Sequence, residues 1–174
     1  VALVPDLQPS VIAQALQSFK VAGHRGQQVA EARGIVAIDN SKATNPHAAD
    51  SALAGHDSVI WVAGGQLKGA EVDDLIARHA HRLKAVALMG VDRNIIRESV
   101  EKHAPGVPIS VTDDTDPQSA MDAVCAWAVT QASSGDAIVL APAAASLDMY
   151  TGMGQRGVLF AESVSAHLGG VAPK

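Results

Sequence analysis

Cysteine is nearly absent: Cys125 stands alone, which argues against a disulfide framework and fits a reducing compartment, so the expected location is cytoplasmic. Aromatics are scarce too, at 3% of residues. The core must therefore come from Ala, Val, Leu and Ile, a mixture that suits buried strands covered by helices. Basic residues are outnumbered, 13 Lys and Arg against 18 Asp and Glu, for a formal charge of −5. With no basic block and few aromatics, there is no electrostatic footprint for nucleic acid. No apolar run approaches the roughly 20 residues needed to cross a bilayer, and no signal peptide is visible, so no membrane contact is expected. An initiator Met is lacking as well. The chain opens Val1-Ala2-Leu3-Val4, which reads as a fragment or a processed product.

What is present is an ordinary globular balance, 48% apolar and 18% charged over 174 residues, enough for one domain with a short piece of a neighbour. Pro9 to Phe19 places Ile12, Leu16 and Phe19 on one helical face. The Gly-flanked joint Ala22 to Gly26 then reads as a linker, so residues 1–23 are expected to be the tail of a preceding domain. Alternation in Gln28–Ala32 and Ile35–Ile38 around Arg33-Gly34 predicts a hairpin. Strands over Ser58–Ala63, Ala85–Met89, Val107–Val111 and Ala137–Ala141 follow, separated by helical spacing. One helix carries Val72, Leu75, Ile76, His79 and Leu83. A second starts at Asp92, a third at Asp116-Pro117, and the last covers about Gln155 to Leu168. Such alternation predicts an α/β fold. It would be a mostly parallel sheet of about six strands with an antiparallel edge hairpin and helices on both faces.

In open α/β sheets, ligands bind beyond the carboxyl ends of the strands. Three polar segments fall there: Asp39 to Pro46, Gly64 to Gly69, and Pro142 to Asp148. Lys42 and Lys68 bring positive charge, Thr44 and Ser146 bring hydroxyls, and Gly64, Gly65 and Gly69 let backbone amides approach a ligand. Such a rim suits a small anion. Each element also has an ordinary reading: a solvated loop lysine, a helix start at Pro46, an N-cap at Ser146, a tight turn at Gly64-Gly65. Their joint placement carries the weight. No nucleophile–base pair is legible, and the seven histidines form no metal spacing, so no metal site is expected within the chain. Gly152-Met153-Gly154-Gln155-Arg156-Gly157 matches the G-x-G-x-x-G spacing but follows no strand directly and precedes no second strand. Cys125, in an apolar stripe, reads as a buried small hydrophobe.

Asn40-Ser41-Lys42-Ala43-Thr44-Asn45-Pro46, Gly64-Gly65 with Lys68-Gly69, and Leu140-Ala141-Pro142 through Ala145-Ser146-Leu147-Asp148 to Gln155-Arg156-Gly157 together resemble the C-terminal domain of the Mur ligases. Gly23-His24-Arg25 after Ser18-Phe19-Lys20 is similar to that family's junction between central and C-terminal domains. The resemblance covers essentially the whole chain and is nearest to the members that add D-glutamate to UDP-N-acetylmuramoyl-L-alanine. It implies a Rossmann-like domain over residues 24–174 that brings the incoming amino acid. Its partners would be the enzyme's own N-terminal and central domains, the latter an ATPase. The implied reaction is ATP-dependent amide formation in peptidoglycan precursor synthesis, with ATP activating a carboxylate as an acyl phosphate and Mg2+ neutralising phosphates. By the family pattern, Thr44 and Lys68 would meet one carboxylate of D-glutamate, and Ser146 and the backbone near Met153 the other. Lys42 and Arg25 would reach toward ATP phosphates, with His24 near the base. Asn40 stands where the family usually has an acid, with Asp39 one residue earlier, which puts a ribose contact there in question. No G-x-x-x-x-G-K-[ST] loop occurs, so no catalytic residue is assigned within the chain, ATP and Mg2+ would be bound mainly by the central domain, and the chain alone is expected to be inactive.

Other readings stay open on the residues alone. A related ligase adding a different amino acid would differ in ligand preference at Lys68 and Ser146. A dinucleotide-binding oxidoreductase domain would bind NAD at Gly152–Gly157, and an amino-acid sensor would bind its ligand fully as an isolated domain.

Overall fold

Arg33 and Gly34 both adopt positive φ, 56° and 73°, the backbone that a two-residue hairpin turn requires. They join β1 (Gln27–Ala32) to β2 (Ile35–Asp39) as an antiparallel pair in the computed structural model. It describes residues 23–169; the helix expected over Pro9–Phe19 and the rest of the leading segment through residue 22 lie outside the described residues. Then follow α1 (Pro46–Ala54), β3 (Val59–Gly64), α2 (Asp73–His79), β4 (Leu83–Met89), α3 (Arg93–His103), β5 (Ile109–Val111), α4 (Pro117–Gln131), β6 (Ala137–Leu140) and α5 (Met153–Leu168). Two helix starts use the same device, an extended polar N-cap followed by Pro. Asn45 accepts from the Ala48 amide and Asp116 from the Ser119 amide.

The sheet has six strands in the order β1-β2-β6-β3-β4-β5, parallel except for the edge hairpin. β3 is buried along its whole length, as a strand covered on both faces must be. Val59, Trp61 and Ala63 point into one core with Leu53, Ile76 and Ile96. Ile60 and Val62 point into the other with Val124, Cys125, Phe160 and Val164. The expected α/β architecture, edge hairpin and two-sided helical cover are all present. No helix among the described residues is long and apolar enough to span a bilayer.

Three local expectations are corrected. Leu83 does not extend the helical stripe; α2 ends at His79 and Leu83 opens β4, paired with Val59. Leu83 fits either period, and the strand wins because the Val59 amide donates to the Arg82 carbonyl at 2.9 Å while the Arg82 guanidinium closes the turn on the His56 carbonyl at 2.7 Å. Asp92 sits at the start of α3 without capping it. Its carboxylate instead accepts the Leu67 amide at 2.7 Å, fixing the loop after β3. The last helix begins at Met153, two residues before the expected Gln155.

Asp73, in the first turn of α2, accepts Ser99 Oγ at 2.6 Å and Lys102 Nζ at 2.7 Å, with His103 Nε2 3.0 Å away. The Lys102 bond, then those of Ser99 and His103, hold its carboxyl well below the usual carboxylate range. Its contribution to stability is therefore present above the ordinary Asp value near pH 4 and is lost as the pH falls below it. Thermal denaturation from pH 6 to 2 is expected to show a falling midpoint whose slope is shallower in Asp73→Asn. Identical slopes would remove Asp73 from the acid response.

Candidate functional site

Strands β2, β6 and β3 lie side by side and parallel, so their carboxyl ends open on one edge of the sheet. The three polar segments meet there and are stitched together by backbone. Asn40 N–H donates to the Leu140 carbonyl at 2.8 Å and Gly64 N–H to the Pro142 carbonyl at 3.0 Å, while Gln66 and Ala145 exchange two bonds of 2.9 Å. Among the described residues, three of the four non-glycine positions with positive φ, His24, Lys68 and Ala143, are on this rim, the kind of backbone strain that persists only where surrounding contacts over-determine it.

One cavity of about 390 Å3 is lined by His24, Arg25, Gly26, Asn40 and Lys42 with Ala43 and the α1 residues Ala48, Ser51 and Ala52. It gathers all four residues expected on the nucleotide side. Asp39, buried under it, receives His24 Nδ1 at 2.6 Å on one oxygen and the Ser41 amide at 2.7 Å on the other. Asn40 Oδ1 accepts the Gly26 amide at 2.7 Å, and Lys42 N–H donates to the His24 carbonyl at 3.2 Å. Thus the acid one residue early is turned into the fold to hold His24, and Asn40 both lines the cavity and anchors the joint.

A second cavity, about 260 Å3, is lined by Thr44, Ala145, Ser146, Leu147, Gly152 and Met153. Two hydroxyl-bearing residues line it beside the start of α5, where Gly152 provides no side-chain cap and a helix N-terminus carries partial positive charge. Three of the four residues expected on the amino-acid side are brought together here. Lys68 is not among the lining residues; it is exposed on the β3 loop, two positions past Gln66. Met153 is also tied to the segment that supplies the first cavity, because its carbonyl accepts Ser41 Oγ, between Asn40 and Lys42, at 2.7 Å.

The glycines have a different role from the one expected. A Cβ on Gly64 would collide with the Met89 carbonyl, and one on Gly65 with the Ala145 carbonyl. They are packing positions between neighbouring strand ends rather than openings for a ligand; only Gly69 of the three faces open space. A Cβ on Gly157, last of the G-x-G-x-x-G spacing, would collide with His24 Nδ1 and Asp39 Oδ2, so the glycine lets α5 pack against the rim.

Arg156 received no role from the sequence, yet no part of it is exposed. Burial lowers its pKa to about 10, with Tyr150, Asp148 and Asp39 pulling the other way, and it stays charged at neutral pH. The signal was its spacing: Arg156 shares a helical face with Phe160 and Val164, so a cation occupies a core position.

The Mur ligase glutamate ligase domain family matches residues 24–144. The chain is 68% identical over 157 residues to the UDP-N-acetylmuramoylalanine–D-glutamate ligase of Corynebacterium diphtheriae, covering 90% of this chain and 33% of that protein. It is 59% identical over 163 residues to the protein of the same name from Corynebacterium efficiens, covering 94% and 34%. The chain thus spans about a third of the length of these curated relatives. Among solved structures, the UDP-N-acetylmuramate-alanine ligase of Thermotoga maritima superposes with a TM-score of 0.58 at 13% identity, over 90% of this chain and 33% of that one; the likeness is one of fold.

Proposed function

Because the chain belongs to the Mur ligases through their glutamate ligase domain, we propose that it is the amino-acid-binding part of an ATP-dependent ligase that adds D-glutamate to UDP-N-acetylmuramoyl-L-alanine in the cytoplasm. The observation that carries this reading is one short segment, Asn40 to Thr44, serving both cavities: Asn40 and Lys42 line one and Thr44 the other. A ligase must hold an activated carboxylate near an incoming amine, and a shared wall sets that distance.

In this scheme ATP transfers its γ-phosphoryl group to the acceptor carboxylate. The amine of D-glutamate attacks the acyl carbon, the amide C–N bond forms as the nitrogen loses a proton, and phosphate leaves with the electron pair of the broken C–O bond and takes up that proton, directly or through water. Lys42 and Arg25 supply positive charge toward the phosphates, His24 is oriented by Asp39 toward the nucleotide, and Asn40 holds the joint between them. Thr44 and Ser146 donate to the carboxylates of D-glutamate, the α5 amides at Met153 add partial positive charge, and Lys68 would swing in from its exposed loop. Magnesium would neutralise phosphate charge when bound. Among the described residues no group of His, Cys, Asp and Glu converges to hold an ion; in this reading its ligands come mainly from the central domain.

The test is ADP release by the full-length polypeptide containing this chain, with UDP-N-acetylmuramoyl-L-alanine as acceptor. Turnover is expected to require D-glutamate and to be at least about a hundredfold slower with L-glutamate, given charge-assisted contacts placed for one stereoisomer. Comparable kcat/KM for another amino acid would overturn the substrate assignment.

A further inference from the structure

Arg156 spends its guanidinium on the rim. Nε donates to Ser41 Oγ at 3.1 Å, Nη2 to the Ser41 carbonyl at 2.9 Å and the Ala144 carbonyl at 3.2 Å, and Nη1 to the Ala144 carbonyl at 3.2 Å and the Gly64 carbonyl at 3.4 Å. These acceptors are Ser41 in the loop after β2, Ala144 in the loop after β6 and Gly64 at the carboxyl end of β3, and the first two loops carry residues that line the two cavities. Ser41 lies between Asn40 and Lys42 in sequence, and Ala144 is two residues from Ser146. None of the ion pairs among the described residues includes Arg156. It is a buried cation held by oriented carbonyl dipoles, an arrangement costlier than an apolar side chain at the same place unless it sets geometry. Ser41 extends the link, since its hydroxyl donates onward to Met153 at the start of α5.

We propose that Arg156 is a positioning residue for both halves of the site, fixing the nucleotide-side segment Asn40–Lys42 against the amino-acid-side segment Ala144–Ser146 so that the amine of D-glutamate is held beside the carboxylate that ATP activates. The inference rests on the ligase reading above. The guanidinium is suited to the task because its planar fork reaches several acceptors at fixed angles. A lysine keeps the charge but, as a point donor on a shorter stem, cannot hold Ser41, Ala144 and Gly64 together.

Steady-state kinetics of the full-length polypeptide with Arg156→Lys test this. The KM for D-glutamate and the KM for ATP are both expected to rise, each about tenfold, the scale of a lost charge-assisted hydrogen bond. A residue needed only for folding would instead lower the active fraction, reducing kcat and leaving both KM values in place. Ser41→Ala is the second variant: it keeps Arg156 but removes the Nε acceptor and the link to Met153, and it is expected to raise the same two constants by a smaller factor. It also decides the matter if Arg156→Lys does not fold. Both KM values within twofold of wild type, or movement of one alone, in a folded variant would overturn the proposal. Wild-type protein lacking D-glutamate-dependent turnover would sink the ligase reading, and this inference with it. Wild-type turnover with unmoved KM values would sink this inference alone.

Discussion

Gly64→Ala is expected to destabilise the domain by about 3 kcal/mol, by adding an unfavourable positive-φ conformation to an overpacked contact. Gly64 has φ near 120° and is the last residue of β3, paired with Met89. The added methyl would meet the Met89 carbonyl oxygen, a backbone atom inside the parallel sheet that cannot swing away as a side chain would. Gly69→Ala is the matched control. Gly69 also has positive φ, 78°, but a Cβ there meets nothing within 4 Å, so only the conformational cost of about 1 kcal/mol applies. Urea denaturation of the two variants separates clash from backbone preference. Equal losses would show that the strand ends can part, and that Gly64 is not a fixed point of the rim.

The second large effect concerns the amino-acid cavity. Thr44→Val with Ser146→Ala removes both hydroxyls from its lining while keeping the volumes nearly the same. Each hydrogen bond to a charged group contributes about 1.5–3 kcal/mol, so the pair is expected to raise the KM for D-glutamate by about a hundredfold or more. The KM for ATP is expected to stay put, because neither residue lines the His24–Lys42 cavity. That one-sided response contrasts with the two-sided response expected from Arg156. Steady-state kinetics with each substrate varied in turn gives the answer. A D-glutamate KM within threefold of wild type would move the carboxylate contacts elsewhere on the rim, toward Lys68.

The parts of this fold that local chemistry decides were readable from the sequence. Arg33-Gly34 between two alternating runs, Asn45-Pro46, and Asp116-Pro117 each specify a turn or a cap within a few residues. The rim was readable for the same reason, since polar segments after apolar strands mark carboxyl ends whatever the strand order. What escaped depended on partners far away in the chain. Leu83 suits helix or strand locally, and only its pairing with Val59 decides. Asp92 is a good N-cap residue by type, yet the Leu67 amide competes for its carboxylate and wins. Gly64 and Gly65 look like ligand-approach glycines until Met89 and Ala145 are set beside them. The core position of Arg156 shows in its helical spacing, but its acceptors lie up to 115 positions away, where no periodicity reaches.

The position of β6 also bears on how the chain comes together during synthesis. Translation delivers β1 through β5 first, but the strand that zips β2 to β3 arrives only at Ala137–Leu140. Until then β1-β2 and β3-β4-β5 have no strand to join them, and the apolar Val59–Gly64 lacks its β6 partner, an open edge of the kind that pairs with other chains. Joining strands so distant in sequence is intrinsically slow. The order that gives the rim its contiguous wall therefore leaves an adhesive seam without its partner while residues 65–136 are made, and makes this stretch dependent on the late arrival of its own central strand, or on a chaperone that shields it until then.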